Sequence, residues 1–208
     1  MLHFKTVEPG TFSVLKDLIE LPALANFSLV GGTALSLLYG HRSSMDIDLF
    51  YHEKFNHSEL ISALEQAFGS RFTYKQQHTH FGIFCFIDNI KVDIVYFPYQ
   101  PILPFQAVDG IRMYHVGDIA AMKIQAILGR AKKKDFWDLH ELLQHFSLQQ
   151  IMDWHKQKYP SQMLAISIPH AITYFIDADE SETPISFKKQ TWKKIKKDLS
   201  KIVSDYLK

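Results

Sequence analysis

The spacing of apolar residues predicts two helices in the first third of the chain. Apolar side chains recur every three or four residues between Thr11 and Leu24, and Pro22 near the end of this run favours a stop. A second helical pattern follows Asn56 and ends at Gly69, and Asn and Gly are residues that favour these two ends of a helix. We therefore expect a leading helix and a second helix that crosses or covers a sheet.

After the second helix the pattern changes to that of strands. Aromatic and β-branched residues fill three consecutive runs, Arg71 to Gln77, His80 to Ile87 and Ile90 to Phe97. Asp88 and Asn89 separate the last two runs, and such a pair predicts a tight hairpin. These runs are therefore expected to form a β-meander.

Turn-forming residues interrupt the chain after the meander. Pro98, Pro101 and Pro104 predict a loop, and Asp109-Gly110 predicts a turn before a short strand at Arg112 to His115. We expect this segment to end the strand-forming part of the chain.

The pattern is helical from Gly117 to the C-terminus, and the sequence shows no internal repeat. The predicted fold is therefore α+β, with an α/β lobe at residues 1–116 and an all-helical lobe at residues 117–208. No Gly-rich or Ser-rich linker separates the two lobes, so we expect them to pack closely and to leave a cleft between them.

Composition limits the classes of protein and site that the chain can form. Its 208 residues are 47% hydrophobic, which is enough to fill a core, and its net charge of +1 favours no class of partner. The single cysteine, Cys85, excludes an intrachain disulfide and a Cys-based zinc cluster, and fits a reducing cytoplasm. His78 and His80 lack Cys or acidic neighbours at ligand spacing, so we expect no zinc site. Without a signal peptide or an apolar run of ~20 residues, the protein is expected in the cytoplasm, away from membranes.

Two aspartates one residue apart are the first candidate for chemistry. In the apolar run Met45 to Phe50, Asp46 and Asp48 would share one face of a strand because side chains alternate between faces. Carboxylates this close repel unless a cation lies between them, and a hard ion such as Mg²⁺ prefers oxygen ligands. The alternative is a strand whose outer face is simply solvated.

A glycine pair precedes the two aspartates. Gly31 and Gly32 follow a strand-like run, and Thr33 is available to cap a short helix that begins after it. Glycines let backbone N–H groups approach a phosphate, and the start of a helix favours an anion. Many such turns bind nothing, so the motif alone leaves both interpretations open.

The two motifs together resemble a known family. The sequence reads G-G-T-A-L from Gly31 and G-H-R-S-S-M-D-I-D-L-F from Gly40 to Phe50. This arrangement resembles the nucleotidyltransferases of the DNA polymerase beta-like superfamily, and within it the toxins typified by AbiEii and AbiGii. The resemblance covers about the first two thirds of the chain. It implies a polymerase beta-like lobe, a mixed sheet with covering helices, followed by an all-helical lobe that completes the cleft.

A third carboxylate lies in an apolar strand. Asp93 interrupts the run Ile90 to Phe97, where an unpaired buried carboxylate would be costly. The resemblance implies that it joins Asp46 and Asp48 in binding Mg²⁺ or Mn²⁺ and accepts the proton of the attacking hydroxyl. The alternative is an ion pair with Lys91 or Lys75 at the edge of a sheet.

Basic residues of the helical lobe are candidates for the triphosphate. Asp118 is expected to cap a helix in which Lys123 and Arg130, seven residues apart, share a face. From spacing alone, an ordinary helix face exposed to solvent explains these two residues better. The motifs D-I-A-A-M-K and R-A-K-K-K-D-F-W-D-L are similar to later motifs of the AbiEii-type toxins, and this resemblance assigns Lys123 to the phosphates of the nucleotide.

Acidic and basic residues near these motifs complete the predicted site. Asp135 and Asp138 lie in the first turn of the next helix, where they would either cap it or orient Lys123, Arg130 or the acceptor. His41 and Arg42 would contact a nucleotide or fix the register of the following strand. The predicted catalytic residues are Asp46, Asp48, Asp93 and Lys123, and the predicted nucleotide-binding residues are Gly31, Gly32, Thr33, Arg42, Arg130, Asp135 and Asp138.

The C-terminal helix is basic and amphipathic. Lysines are frequent between Lys188 and Lys197, and the apolar stripe that starts at Trp192 favours docking on the rest of the protein. The alternative is a surface that binds the backbone of an RNA acceptor.

The combined interpretation is a metal-dependent nucleotidyltransferase that moves a nucleoside monophosphate from an NTP to an acceptor hydroxyl. The resemblance implies the toxin of a toxin–antitoxin pair, with tRNA as a plausible acceptor and a separately encoded antitoxin. Two alternatives are a protein or small-molecule acceptor and a nucleotide-binding module without catalysis.

Overall fold

A computed structural model describes residues 1–75 and 81–208. Helices surround a central sheet in the first half and form most of the second half. The helices are α1 (Pro9–Glu20), α2 (Gly31–Tyr39), α3 (His57–Phe68), α4 (Val116–Gly129), α5 (Lys133–Leu142), α6 (Leu148–Lys158), α7 (Ile168–Ala171), α8 (Ile176–Asp179) and α9 (Trp192–Tyr206). None of the helices in these two ranges is long and apolar enough to span a membrane.

The sheet has seven strands and mixed topology, which confirms the predicted α+β fold. The strands are β1 (Ser28–Leu29), β2 (Ile47–Tyr51), β3 (Phe72–Tyr74), β4 (Gly82–Ile87), β5 (Ile90–Tyr96), β6 (Gln106–Val108) and β7 (Ile111–Met113). Their order is β3-β4-β5-β2-β1-β7-β6. β5 pairs with β2 and β7 pairs with β1 in parallel, whereas the other neighbours are antiparallel.

The pairing of β2 with β5 places the predicted carboxylates next to each other. Asp48 lies opposite Asp93 in this parallel ladder. The residues that flank Asp48, Ile47 and Leu49, are fully buried on the other face. Because side chains alternate along a strand, burying Ile47 and Leu49 in the core directs Asp48 to the opposite face.

The predicted hairpin is confirmed, and its turn explains the residue types found there. Asp88 and Asn89 both have positive φ, 51° and 63°, and short polar residues tolerate this conformation better than others do. The predicted leading helix is shorter than expected and ends at Glu20, before a 3₁₀ turn at Pro22–Leu24. Strand β6 lies in the segment that was expected to be a loop.

Part of the predicted meander lies outside the described residues. The ends of two predicted runs, at Gln77 and His80, fall there, as does the histidine pair His78 and His80. Within the described residues, Cys85 is free and buried in β4, as its apolar neighbours predict.

The prediction that Asp118 caps a helix is wrong. Helix α4 begins at Val116, and His115 occupies the N-cap position and accepts a hydrogen bond from Gly117 N. Asp118 is fully buried and forms an ion pair with Lys158 of α6 at 2.6 Å. Its two oxygens also accept hydrogen bonds from the backbone N–H groups of Ile102 and Leu103. Asp118 therefore fastens α4 to α6 and to the preceding loop.

The two predicted lobes share one core. The start of α4 coincides with the predicted boundary near residue 116, yet one hydrophobic cluster includes Ile94 of the sheet as well as Ile119 and Phe136 of the helices. The C-terminal helix α9 docks on this core through Ile195 and Leu199, which are fully buried. The division into lobes stays a prediction.

We expect Asp118→Ala to destabilise the protein by about 3–5 kcal/mol, because the change leaves the Lys158 ammonium buried without a counter-ion. The free energy of unfolding in urea measures this loss. Asp205→Ala is the control: Asp205 pairs with Lys208 on the surface, where its side chain is 53% exposed, and we expect a loss below about 1 kcal/mol. Equal losses in the two variants would contradict the assigned role of Asp118.

Candidate active site

A cleft of about 600 Å³ lies between the sheet and helices α2 and α4. Most of the residues predicted from the sequence line it. They are Gly31, Gly32, Arg42, Asp46, Asp48, Asp93, Lys123 and Arg130. The structure therefore brings the three predicted carboxylates and the predicted cations to one cavity, although they come from distant parts of the chain.

Asp48 and Asp93 form the acidic centre of the cleft. Burial and the neighbouring Asp93 carboxylate raise the pKa of Asp48 to about 6. Asp93 accepts a short hydrogen bond from Lys91 with Oδ2, whereas its Oδ1 is buried and has no hydrogen-bond partner among the described residues. Lys91 is thus the partner that the alternative interpretation named, but β5 lies between β4 and β2 and is not at the sheet edge.

Asp46 precedes β2 and is held by a lysine. Its Oδ2 lies 3.3 Å from Lys134 Nζ, and both side chains are about two-fifths exposed (41% and 38%). Among the described residues no group of three or more His, Cys, Asp and Glu side chains is arranged to hold a metal ion. In this structure Lys91 and Lys134 supply the positive charge next to Asp93 and Asp46.

The donor set nevertheless fits a hard divalent cation. Three carboxylates line the cleft, one buried carboxylate oxygen of Asp93 has no partner among the described residues, and the ionised form of Asp48 is disfavoured by its surroundings. Each of these features would be relieved by a cation with oxygen ligands.

Asp48 and Arg42 account for the two glycines. Gly31 begins α2 with φ +73°, and a Cβ at this position would collide with Oδ2 of Asp48. A Cβ at Gly32 would collide with Nη2 of Arg42. The sequence analysis explained the two glycines by the close approach of a phosphate. The structure adds a second reason, because Asp48 and Arg42 occupy the space that a side chain would need.

The prediction that Thr33 caps a helix is wrong, because α2 begins two residues earlier and Val30 is its N-cap. Thr33 is fully buried and is not among the residues that line the cleft. Its hydroxyl donates to the main-chain oxygen of Asp46 and lies 2.9 Å from Ser44 Oγ. Thr33 therefore holds the loop that leads into β2.

Asp138 is the centre of a buried charge network behind the cleft. Arg42 donates to it twice, at 2.6 and 2.8 Å, Lys123 Nζ lies at 2.8 Å and His41 Nε2 at 2.8 Å. Burial alone would raise the pKa of Asp138, but Arg42 and Lys123 hold it well below the usual range. The bidentate contact with Arg42 fixes the geometry of both side chains.

Asp135 extends the network to the mouth of the cleft. It lies 3.3 Å from Lys123 Nζ and accepts hydrogen bonds from Arg130 at 3.0 and 2.9 Å. We name the set His41, Arg42, Lys123, Arg130, Asp135 and Asp138 the buried charge network. Asp135 and Asp138 do not line the cleft but contact the cations that do, which is the orienting role that the sequence allowed. Asp135 also caps α5, since it accepts a hydrogen bond from Lys132 N at 3.4 Å, so both predicted roles hold for this residue.

His41 lies too deep to contact a ligand in the cleft. Its side chain is fully buried against Asp138, 97 residues along the chain. Of the two interpretations of this loop, the structure supports the one in which His41 holds the loop in place.

The sequence did not identify several residues that line the cleft. Lys134 belongs to this set, and the basic run before Asp135 was the one available signal for it. An apolar wall with one amide was missed because its members are scattered along the chain: it comprises Phe50, Phe97, Met122, Gln125 and Tyr159. His155, whose pKa burial lowers to about 4, bonds the Gln125 side chain at 3.1 Å.

Comparison with known proteins finds a matching family model and a relative of similar length. Residues 13–205 match the model of the family described as "Nucleotidyl transferase AbiEii toxin, Type IV TA system". An uncharacterized protein of Aquifex aeolicus is 31% identical over 172 residues, which cover 80% of this chain and 82% of the relative.

Solved structures share the fold at low sequence identity. MenT4, a nucleotidyltransferase toxin of Mycobacterium tuberculosis, superposes with a TM-score of 0.61 at 14% identity, covering 92% of this chain and 82% of that one. A Helicobacter pylori protein solved as a candidate nucleotidyltransferase gives 0.59 at 18% identity, covering 96% of both chains. At these identities the likeness concerns the fold.

We expect Asp48→Asn to stabilise the metal-free protein at pH 8. The pKa of Asp48 is raised in the folded state from 3.8 to about 6, so ionisation of Asp48 opposes folding increasingly as the pH rises from about 4 to about 6 and fully above that. Removing the charge should add about 3 kcal/mol at pH 8, and the gain should fall below about 1 kcal/mol near pH 4, where the carboxyl is protonated in the folded state and about half protonated in the unfolded state.

Urea unfolding at both pH values in the presence of EDTA measures this effect. Asp46→Asn is the matched control: it loses the partner Lys134, and its charge is the smallest of the influences on the pKa of Asp48, so its gain should be well below that of Asp48→Asn. A loss of stability in Asp48→Asn at pH 8 would show that the carboxylate is well accommodated and would contradict the prediction.

Proposed function

Because the chain belongs to the family of AbiEii nucleotidyltransferase toxins, we propose that it transfers a nucleoside monophosphate from an NTP to an acceptor hydroxyl. The observation that carries this proposal is the single cleft lined by Asp46, Asp48 and Asp93 together with Lys123 and Arg130. Carboxylates and cations in one cavity suit a reaction in which a metal-bound triphosphate loses pyrophosphate. A boundary near residue 116 would give the carboxylates to one lobe and these two cations to the other.

The triphosphate is proposed to lie between the start of α2 and the basic side chains of α4. Gly31 and Gly32 line the cleft and are partly exposed at the start of that helix, and helix starts favour anions. Lys123 is held by Asp135 and Asp138, so its ammonium group is already positioned when the substrate arrives. Arg130, whose side chain is half exposed at 51%, can turn toward the outer phosphates.

The base of the NTP is proposed to lie against the apolar wall of the cleft. Phe50, Phe97 and Tyr159 offer aromatic surface for stacking, and Gln125 offers a side-chain amide for hydrogen bonding. The Gln125 oxygen is engaged by His155, so its amide N–H groups remain available to the base.

Asp46, Asp48 and Asp93 are proposed to hold Mg²⁺ or Mn²⁺. When bound, the metal would neutralise charge on the phosphates and favour in-line displacement. The side chains of Lys91 and Lys134 are 45% and 38% exposed. They can therefore move away into solvent and leave Asp93 and Asp46 free to bind an entering cation.

The proposed step moves one nucleotidyl group. The acceptor oxygen forms a bond to the α-phosphorus while the bond from that phosphorus to the bridging oxygen of the pyrophosphate breaks. The hydroxyl proton passes to a carboxylate, and Asp93 is the proposed base because its Oδ1 has no hydrogen-bond partner within the described chain. Lys123 and Arg130 stabilise the negative charge that leaves with pyrophosphate.

The acceptor is proposed to be tRNA, and the setting the cytoplasm, where NTPs and tRNA are abundant. The family is described as toxins of type IV toxin–antitoxin systems. This description supports the proposal of a separately encoded antitoxin and of a target that is essential to the cell. A protein or small-molecule acceptor would use the same cleft and differ only in the labelled product.

We expect the purified protein with Mg²⁺ and one of the four α-labelled NTPs to label tRNA in a total tRNA mixture. Asp46→Ala and Asp48→Ala should lower the rate by about 10²–10³-fold, because each removes a charged group at the reacting centre. Asp177→Ala is the control and should label at the wild-type rate, because Asp177 is exposed and does not line the cleft.

Label on a protein or small molecule in place of tRNA would keep the reaction and reject the acceptor. Equal labelling by wild type and Asp48→Ala, or no label in any fraction, would contradict the proposed catalytic role.

A further inference from the structure

A second cavity, of about 970 Å³, opens next to the catalytic cleft. Four residues line both cavities: Arg42, Ser44, Asp46 and Lys134. The pair Asp46 and Lys134 therefore stands where the two cavities meet, and a molecule in the second cavity would reach the catalytic carboxylates past Asp46. We name this second cavity the side groove.

The walls of the side groove come from the two ends of the chain. The segment Phe4–Pro9 forms one part, and the segment Glu182–Phe187 forms another. Both are tied by backbone hydrogen bonds to the loop that precedes β2. Ser44 N donates to Thr6 O at 3.0 Å, Ser43 N donates to Ile185 O at 2.9 Å, and Phe187 N donates to His41 O at 2.9 Å.

These bonds make the side groove part of the active-site framework. The loop at residues 41–44 is held below by the buried charge network and on its sides by the two terminal segments. The groove is therefore built before a ligand arrives, which lowers the entropic cost of binding.

The lining of the side groove is apolar and partly exposed. Phe4 is 41% exposed and Phe187 is 49% exposed, and Met45 and Ile185 are exposed by 58% and 69%. The Phe4 ring packs edge-on against Phe12 with 4.8 Å between centroids, so one side of the ring is packed while the rest is exposed. Exposed apolar surface concentrated in a concave site indicates a binding function.

Charge indicates which part of a nucleic acid fits the groove. Three basic and three acidic side chains line it: Lys5, Arg42 and Lys134, and Glu8, Asp46 and Glu182. Such a balance gives no continuous track for a phosphate backbone, whereas exposed rings suit bases that stack. The lining therefore fits a few unpaired nucleotides better than a duplex.

The chemistry of the cleft gives the direction of approach. In an in-line displacement the acceptor oxygen enters on the side of the α-phosphorus opposite to the leaving pyrophosphate. The proposed triphosphate site lies toward Lys123 and Arg130, and neither of these residues lines the side groove. The groove opens at Asp46 and so supplies a separate route to the carboxylates.

We infer that the side groove is the acceptor site and binds the unpaired terminal nucleotides of an RNA, with bases stacked on Phe4 and Phe187 and the terminal hydroxyl directed past Asp46. This inference rests on the proposed function, since it names where the acceptor of that reaction binds. It adds that recognition depends on aromatic side chains outside the catalytic cleft.

Anisotropy titration of a fluorescent six-nucleotide single-stranded RNA with a free 3′ hydroxyl, without NTP, tests the inference. We expect the wild type to bind it and the double variant Phe4→Ala/Phe187→Ala to bind at least tenfold more weakly. Phe187→Leu keeps the apolar volume without the ring and should weaken binding several-fold, so the result does not depend on a loss of folding. Phe86→Ala is the matched control: Phe86 is 48% exposed, does not line the groove and should bind like the wild type.

Three results would overturn the inference. One is the absence of binding by the wild type, and another is equal binding by the wild type and the double variant. The third is a dimer, or a complex with a partner protein, that the double variant loses while its RNA affinity stays unchanged; the groove would then serve that contact.

The transfer assay separates this inference from the proposed function. In that assay the double variant should show a KM for the RNA acceptor at least tenfold higher, with the KM for NTP within twofold of wild type. If the RNA binds but no nucleotide is transferred, the proposed function is contradicted and the assignment of the side groove as an RNA site stands. If nucleotides are transferred to RNA with an unchanged acceptor KM in the double variant, the assignment of the side groove is contradicted and the proposed function stands.

Discussion

One buried carboxylate determines how the halves of this protein meet. Asp138 has no exposed surface, so its charge is tolerable only because Arg42 and Lys123 surround it with positive charge and His41 adds a hydrogen bond. Its partners come from two places, the loop before β2 and helix α4, while Asp138 itself lies on α5. If any one of these side chains moved away, a buried charge on another would be left without a counter-ion. The loop and both helices are therefore held at one relative position.

The geometry of the cleft follows from this constraint. Arg42 fills the space beside Gly32, and the loop it anchors carries Asp46 into the cleft. Lys123 faces the cleft from the other side of the network. At the centre, Asp48 lies against Asp93 in a parallel ladder and is destabilised by it. Rigid support around an unfavourable charge cluster is typical of sites where binding of a cation and a substrate supplies the compensation.

The sequence was most informative where chemistry and local pattern coincide. Alternation predicts that Asp48 points away from the core, and burial of Ile47 and Leu49 is the reason. That Asp93 joins it came from the family resemblance, and the pairing of β2 with β5 places the two side by side. Asp118 was misassigned because a carboxylate in the first turn of a helix has the same local pattern whether it caps the helix or pairs with Lys158, forty residues away.

Contacts between distant parts of the chain could not be predicted from local sequence patterns. The contact of His41 with Asp138 spans 97 residues, and no periodicity encodes it. Strand β6 has only three residues and carries no detectable alternation. The side groove was not predicted because its walls come from opposite ends of the chain.

In the proposed reaction, the buried carboxylates Asp135 and Asp138 hold the Lys123 ammonium group in position for the triphosphate. Isothermal titration of a non-hydrolysable NTP with Mg²⁺ into wild type and Asp138→Asn tests it most directly, at a temperature where circular dichroism shows both proteins folded. Asparagine keeps the shape of the side chain and removes its charge. We predict at least a tenfold loss of NTP affinity, because Lys123 and Arg42 lose their common anchor. Unchanged affinity in the folded variant would contradict the claim and would make the buried network a matter of stability alone.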